Sequence, residues 1–219
     1  MFRDITDKYN NIIVMENIKG LTYSDIANID PNIKDEFGRL FIKFGLIGTL
    51  YNSAIHNDLH SGNIFFYINE NKELPKYQIG IIDFGICSFP DRDNQNAYYI
   101  YFYDINYKRD YSKWDTIFKV IIDDKILYES MSLDQRLILK NKCMTVFDKY
   151  RDTDLDIKFV EKLNIVLKKY NMNFSKEFNQ IIMGLHIINS LAKELCINYT
   201  QQQSEVINEL NNINKLTEI

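Results

Sequence analysis

The order of apolar and polar positions predicts a strand and two helices in the first part of the chain. Residues 11–16 form a short apolar run rich in β-branched side chains, which is typical of a buried strand. The segment from Thr22 to Asp25 has the form of a capping box and predicts a short helix. Asp30 followed by Pro31 predicts a second helix start, because an aspartate caps free N–H groups and proline fits the first helical position.

An apolar stripe continues this second helix, and a β-hairpin follows it. The stripe recurs at steps of three and four residues over about twenty residues. A polar loop over 56–63 then leads to two predicted strands, 64–68 and 77–82, joined by a polar turn around Pro75. The members of the stripe are Phe37, Leu40, Phe41, Phe44, Ile47, Leu50, Tyr51 and Ala54.

The remainder of the chain is predicted to be helical, after a polar loop over 90–96. The sequence has no internal repeat and no linker, so we expect one α+β domain over 1–219 in which helix dominates. The aromatic cluster at 98–103 and the amphipathic tail at 201–216 are expected to pack into the protein's own core. The predicted helices span roughly 97–109, 111–124, 132–150, 156–170 and 175–198.

Composition narrows the class of protein. With 46% hydrophobic and 26% charged residues, the chain can bury a sizeable core. A net charge of −4 provides no basic surface for nucleic acid, so no nucleic-acid partner is expected. Cys87, Cys143 and Cys196 lie too far apart for a zinc knuckle. Short apolar runs and a polar N-terminus predict no transmembrane segment and no secretory signal, hence a soluble, intracellular, cytoplasmic protein.

Two motifs carry the candidate chemistry. His-Asn-Asp-Leu-His-Ser-Gly-Asn occupies 56–63, after the long helix, and Asp-Phe-Gly occupies 83–85, after the hairpin. Each motif alone is weak evidence. Together they reproduce the order and context of the catalytic core of protein kinases, in which H-x-D-L-x-x-x-N precedes a hairpin and D-F-G.

The residue types suit phosphoryl transfer, which needs positioning and charge neutralisation more than covalent help. Asp58 would orient the acceptor hydroxyl and take its proton. Asn63 and Asp83 would hold Mg²⁺ ions that bridge the phosphate oxygens of ATP, because Mg²⁺ prefers hard oxygen ligands. His56 is expected to pack and form hydrogen bonds beneath the loop rather than take part in the chemistry.

The chain resembles the UbiB-like (ABC-one) atypical kinases. Ser/Thr protein kinases carry lysine two residues after the catalytic aspartate, where this chain has His60. The form H-x-D-x-H-x-G-N is used by UbiB-like kinases and also by aminoglycoside and choline phosphotransferases. Val-Met-Glu-Asn-Ile-Lys-Gly at 14–20 resembles the UbiB hinge, and segments 106–112 and 182–192 resemble later helices of that family.

This resemblance implies the C-terminal lobe of the protein-kinase-like fold with no complete N-lobe. No glycine-rich nucleotide loop or β3-type lysine can be placed before Val14. Glu16 in the hinge, Asn63 and Asp83 are the implied nucleotide-binding residues, and Asn63 and Asp83 the implied metal ligands. The implied segments are a hinge strand at 11–17, the catalytic loop at 55–63, the hairpin at 64–82, D-F-G at 83–85 and a helical subdomain at 97–219.

Several functions remain open at the level of sequence. The first is a truncated UbiB-type phosphotransferase or ATPase that uses Mg²⁺ and ATP. The second is an inactive kinase-like binding module with a protein partner, or half of a split kinase whose N-lobe is a separate chain. The third is an aminoglycoside- or choline-type small-molecule kinase, whose acidic acceptor site would draw on Asp123, Asp124, Asp152, Asp154 and Asp156.

Overall fold

The computed structural model describes residues 17–52, 54–71, 73–108, 110–150 and 157–217. Over these ranges the fold is α+β and helix-dominant, as the sequence predicts, and it contains two small antiparallel strand pairs. The strand predicted at 11–16, the hinge up to residue 16, and Glu16 itself lie outside the described residues. None of the described helices is both long and apolar enough to cross a bilayer.

The elements alternate briefly between helix and strand and then become helical. The strands are β1 (Ile55–His56), β2 (Ile64–Ile68), β3 (Tyr77–Ile81) and β4 (Cys87–Ser88), with a 3₁₀ turn at Ser61–Asn63 and a π-helical segment at Ile100–Tyr107. The described α-helices are α1 (Tyr23–Ile26), α2 (Pro31–Leu50), α3 (Arg92–Tyr99), α4 (Trp114–Ile121), α5 (Lys125–Ser130), α6 (Leu133–Tyr150), α7 (Ile157–Lys168), α8 (Lys176–Leu195) and α9 (Tyr199–Thr217).

Both predicted helix starts are confirmed. The Thr22 hydroxyl accepts from the Asp25 N–H (3.3 Å), and the Asp25 carboxylate accepts from the Thr22 N–H (2.7 Å), which completes the capping box. Asp30 caps α2 by accepting from the Asn32 N–H at 2.8 Å, and Pro31 follows it. These caps satisfy N–H groups that have no partner within the helix, so the start of each helix follows from local sequence.

The predicted hairpin is also confirmed, and one ring joins it to α2. β2 and β3 pair antiparallel from Ile64 opposite Ile81 to Ile68 opposite Tyr77. Phe66 of β2 is fully buried, with its ring 4.9 Å from that of Phe37 and 6.0 Å from that of Phe41. The hairpin therefore lies on the apolar stripe of α2.

Helix α8 packs closely along α2 and explains two of the glycines in α2, Gly38 and Gly45. A Cβ at Gly45 would lie 3.0 Å from Cγ2 of Ile188, and one at Gly38 would lie 2.4 Å from Sγ of Cys196. The two helices come close together at these glycines, because glycine has no side chain. The stability lost through low helix propensity is thus offset by tertiary packing.

The loop predicted over 90–96 is wrong from residue 92 onward, where α3 begins. Asp91 caps α3 by accepting from the Asn94 N–H at 2.8 Å, a start signal hidden within a polar run. The helix predicted at 97–109 continues as the π-helical segment, and the one predicted at 111–124 is shortened to α4. Helix α5 was not predicted, because its six residues are too few to display a period.

The C-terminal tail packs on its own domain, as expected. Val206 of α9 is fully buried, and Ile207 and Leu210 are nearly so. At the edge of this contact, Glu209 accepts hydrogen bonds from Arg39 (2.7 Å) and Lys43 (2.7 Å) of α2. The apolar face provides the packing energy, and the ion pairs set the register of α9 on α2.

Acid is expected to loosen α9 from α2. The Lys43 ammonium, through its hydrogen bond and charge, and then Arg39 lower the pKa of Glu209 in the folded protein. This contribution to stability is complete above the pKa of the unfolded chain, about 4.3, and is lost as the pH falls through the lower folded value. The protection factors of the α9 amides, which correct the measured exchange rate for the intrinsic rate at each pH, should therefore fall below about pH 4.3.

The matched variants Glu209→Gln and Glu205→Gln test this prediction. Glu209→Gln should lower the protection factors of the α9 amides at neutral pH and remove most of their dependence on acid. Glu205, which makes a single longer contact with Arg39 (3.2 Å), should have a smaller effect. Equal acid dependence in wild type and Glu209→Gln would contradict the assignment.

Candidate active site

Two short strands bring the candidate catalytic motifs together. β1 and β4 pair antiparallel, with Ile55 opposite Ser88 and His56 opposite Cys87. In addition, the Asn57 N–H donates to the Ile86 carbonyl at 2.9 Å. The segment that enters the catalytic loop therefore lies beside the segment that leaves Asp-Phe-Gly. Sequence reasoning missed this pair, since two-residue strands carry no alternation.

His56 connects the catalytic loop to the end of the hairpin. Its ring is buried, its Nδ1 accepts from the Asp58 N–H (3.2 Å), and its Nε2 lies 3.3 Å from the Ile82 carbonyl oxygen. Because Nδ1 accepts, the proton belongs on Nε2, which donates to that carbonyl. The Phe84 ring lies 5.2 Å from the imidazole. His56 is thus a structural residue of the loop, as expected from the sequence.

The catalytic loop closes on itself between Asp58 and Asn63. The Asp58 carbonyl accepts from Nδ2 of Asn63 (3.1 Å) and from the His60 N–H (2.9 Å). Asn63 is buried and Asp58 is half-buried. Since the amide nitrogen of Asn63 is engaged with backbone, its amide oxygen is the atom left for a cation.

His60 has a local role in this loop. Its Nδ1 accepts from the Gly62 N–H at 3.1 Å and so caps the 3₁₀ turn that contains Asn63. The Asn63 N–H donates to the His60 carbonyl at 2.9 Å. The residue that replaces the lysine of Ser/Thr protein kinases therefore shapes the turn that presents Asn63.

Asp83 has a left-handed backbone at the end of the hairpin. Its φ is 60°, a conformation that costs a non-glycine residue about 1–2 kcal/mol. Its Oδ1 accepts from the Gly85 N–H at 3.3 Å, and the preceding Ile82 N–H donates to the Asn63 carbonyl at 3.0 Å. The side chain is exposed. Asn63 thus precedes β2 and Asp83 follows β3. The backbone hydrogen bond between Ile82 and Asn63 joins the two segments.

Helix α8 packs against the loop that carries Asp58, a contact that the sequence motifs did not predict. With its amide oriented to satisfy both neighbours, Asn57 donates to the Gln180 carbonyl (3.2 Å) of α8 and accepts from the Ser88 N–H (3.2 Å) of β4. A Cβ at Gly184 would lie 2.4 Å from the Asn57 side chain and 2.7 Å from that of Ile55. A glycine among good helix formers at 182–192 is the only sequence signal of this contact.

A family model now identifies the class of protein. The model of the ABC1 atypical kinase-like domain matches residues 2–117, which contain both motifs, and ends within α4. The chain belongs to the ABC1 atypical kinase-like family. This confirms the resemblance to UbiB-like kinases. No curated protein matches the chain.

Members of the ABC1 family are kinase-like and typically use ATP and Mg²⁺. The side-chain oxygens of Asn63 and Asp83 fit Mg²⁺, since the ion is usually held by one or two carboxylates together with substrate phosphates. In the described part of the chain, no group of three or more His, Cys, Asp or Glu side chains could hold a metal ion. One carboxylate and one amide oxygen are a donor set of the kind that shares Mg²⁺ with phosphates.

The segment after Asp83 exposes apolar side chains beside this site. Phe84, Ile86 and Phe89 are 60%, 57% and 75% exposed. Cys87 lies among them, half-buried, with its Sγ 3.5 Å from the Phe84 carbonyl. Burial raises the pKa of its thiol, so Cys87 is not an activated nucleophile.

The acidic residues considered for an acceptor site have structural contacts where they are described. Asp123 accepts from the N–H (3.0 Å) and Nδ2 (3.1 Å) of Asn173. Asp124 caps α5 by accepting from the Leu127 N–H at 2.8 Å. The other three aspartates, at 152, 154 and 156, lie outside the described residues.

Proposed function

We propose that the chain forms the C-terminal lobe of a kinase-like fold and acts as a Mg-ATP-dependent phosphotransferase or ATPase. The observation that carries this proposal is the backbone hydrogen bond from Ile82 to the Asn63 carbonyl (3.0 Å). It joins the segment of Asp83 to the loop of Asp58 in a chain that matches an atypical kinase family. The proposed layout is a hinge at 11–17, a catalytic loop at 55–63 and a helical subdomain at 97–219.

Each candidate residue has a role that follows from its chemistry. Asp58, through its carboxylate, orients the acceptor hydroxyl or a water and takes its proton. Asn63, through its amide oxygen, and Asp83, through its carboxylate, would hold Mg²⁺, and Glu16 belongs to the hinge that contacts the nucleotide. When bound, Mg-ATP supplies the phosphoryl group and the cation that neutralises its charge.

The Asp83→Asn variant is expected to bind Mg-ATP at least about tenfold more weakly than wild type, because it removes the charge of a metal ligand. The variant should remain folded, since the Asp83 side chain is exposed and contacts only its own turn. Calorimetric titration with ATP, with and without Mg²⁺, measures the affinity. Thermal unfolding measures the fold.

Asp93→Asn is the matched control, because Asp93 is exposed on α3 and the change in net charge is the same. It should bind Mg-ATP like wild type. Equal Mg-ATP affinity in wild type and Asp83→Asn would contradict the proposed metal site. Loss of affinity in both variants would attribute the effect to net charge.

A second candidate function is a binding module, or one half of a split kinase. The exposed Phe84, Ile86 and Phe89 beside the site favour it, because contiguous exposed apolar side chains often mark a protein interface. On this alternative, nucleotide binds only when a separate N-lobe chain covers these residues. Phe89→Ser would then weaken association with an added ABC1-family N-lobe. If the nucleotide site is complete in this chain, the same substitution would leave nucleotide binding unchanged.

A further inference from the structure

A polar pocket of about 190 Å³ lies between the first turns of α4 and α6. α4 contributes Trp114, and α6 contributes Arg136 and Lys140 on one face together with Leu133 and Leu137. The α6 residues recur at steps of three and four, so they share one side of the helix. None of these residues belongs to the catalytic loop or to Asp-Phe-Gly, and α6 lies beyond the residues matched by the family model.

Two buried N–H donors on residues that line this pocket have no hydrogen-bond partner among the described residues. They are Nε1 of Trp114, a residue that is 1% exposed, and Nε of Arg136. A buried donor without an acceptor costs about 1–3 kcal/mol. Two such donors from different helices at one pocket therefore indicate a site for an acceptor group.

The charge around these donors is positive. Among the ion pairs of the described residues, none involves Arg136, whose guanidinium instead lies 5.7 Å from the Tyr128 ring centre. The half-buried Lys140 ammonium donates one proton to the Tyr111 carbonyl (2.9 Å) and retains two others. Asp115, the acidic residue at the pocket, is exposed and accepts from the Tyr128 hydroxyl.

The N-terminal ends of two helices add to the positive charge at this pocket. Trp114 begins α4, and its cap residue Lys113 forms no side-chain capping bond. Leu133 begins α6. The first turns of both helices thus face the pocket. The start of α6 is capped, because the Ser132 hydroxyl accepts from the Gln135 N–H (3.2 Å), so these helix ends contribute their partial positive charge rather than a set of free N–H groups.

We propose that this pocket is a second ligand site, which binds a small phosphate-bearing molecule. Donors that approach from two helices suit a tetrahedral oxyanion, and an arginine beside a lysine suits its charge. A volume of 190 Å³ is below the range of about 300–1,000 Å³ typical of pockets for larger ligands, so a phosphate group with a short substituent fits better than a nucleotide. Leu133 and Leu137, 77% and 53% exposed, form an apolar rim for that substituent.

The single tryptophan of the chain provides a direct readout. Trp114 is the only tryptophan, so its indole N–H gives one assignable resonance in a ¹⁵N–¹H spectrum. Titration with inorganic phosphate at constant ionic strength should shift this resonance saturably, because the oxyanion accepts its hydrogen bond. A shift reproduced by chloride at equal ionic strength, or by acetate with equal affinity, would overturn the proposal.

Variants locate the effect in the pocket. Arg136→Gln should weaken phosphate binding about tenfold, and Lys140→Gln about threefold, because each removes a charged donor. Arg92→Gln, an exposed arginine on α3, and Asp83→Asn at the proposed metal site should bind phosphate like wild type. Wild-type affinity in both Arg136→Gln and Lys140→Gln would refute the site, even if either variant is less stable.

Butyl phosphate tests the apolar rim. It should bind about threefold more tightly than inorganic phosphate, since part of its chain leaves water against Leu133 and Leu137. Leu137→Ser should remove this preference and leave the affinity for inorganic phosphate unchanged. Equal affinities of the two phosphates in wild type would overturn the assignment of an apolar substituent.

Discussion

Replacing Gly184 with alanine should destabilise the protein by about 1–3 kcal/mol and weaken any nucleotide binding at the Asp58 loop. In an ordinary helix the same change would stabilise by up to about 1 kcal/mol, so the sign of the effect is diagnostic. Here the added Cβ would lie 2.4 Å from the Asn57 side chain and 3.2 Å from the His56 carbonyl oxygen. Either α8 or the catalytic loop has to shift. Urea unfolding measures the stability, and calorimetric titration measures Mg-ATP affinity.

Gly45→Ala in α2 is the matched control. Its added Cβ would meet a single side-chain methyl, Cγ2 of Ile188, at 3.0 Å, with the next atom at 3.7 Å. A shift of a few tenths of an ångström between the two helices can relieve that contact, so the gain in helix propensity and the packing cost should nearly cancel. If Gly184→Ala proved as stable as Gly45→Ala, with unchanged resonances for Asn57 and His56, the close support of the loop by α8 would be wrong.

Truncating Phe66 to alanine should lower the free energy of unfolding by about 3–5 kcal/mol. The ring is fully buried between the hairpin and α2, with Phe37 at 4.9 Å and Phe41 at 6.0 Å. Because the total stability of a domain is about 5–15 kcal/mol, this variant would be marginally folded. Phe66→Leu, which keeps most of the volume, should cost less and permits a measurement by urea unfolding.

Phe65→Ala provides the control on the opposite face of the same strand. Phe65 is half-buried and pairs with Gly80, so it loses less buried surface on truncation. We expect a cost of about 1 kcal/mol. Equal losses for Phe65→Ala and Phe66→Ala would show that the hairpin does not depend on its contact with α2.

The helix starts at Thr22 and Asp30 and the hairpin that contains Phe66 were predictable because their signals are local. A capping side chain bonds N–H groups two or three residues away, and alternation reports one buried face of a strand. Prediction failed where the signal is short or masked by polar residues, as at Asp91. There, α3 is stabilised by the burial of Ala97 and Tyr98, which no local sequence pattern reports.

The candidate site, like the fold, has residues that the sequence singled out and supporting contacts that it could not predict. The order of the two motifs, at 56–63 and 83–85, was sufficient to single out Asp58, Asn63 and Asp83. The roles of these three residues stay predictions, as does that of Glu16, which lies outside the described residues. The contributions of Asn57 and Gly184 could not be predicted, because the residues they contact are distant in sequence and no local period records such a contact.

What the sequence determined by itself is local: helix starts, the hairpin, the spacing of the motifs, and through them membership of the ABC1 family. What only the tertiary structure decided is which distant side chains meet. The strand pair that holds His56, the support at Gly184, and the meeting of Trp114 with Arg136 at one pocket are of this kind. The physical reason is that local hydrogen bonds are encoded by neighbours in sequence, whereas burial and charge at a site are set by how helices pack.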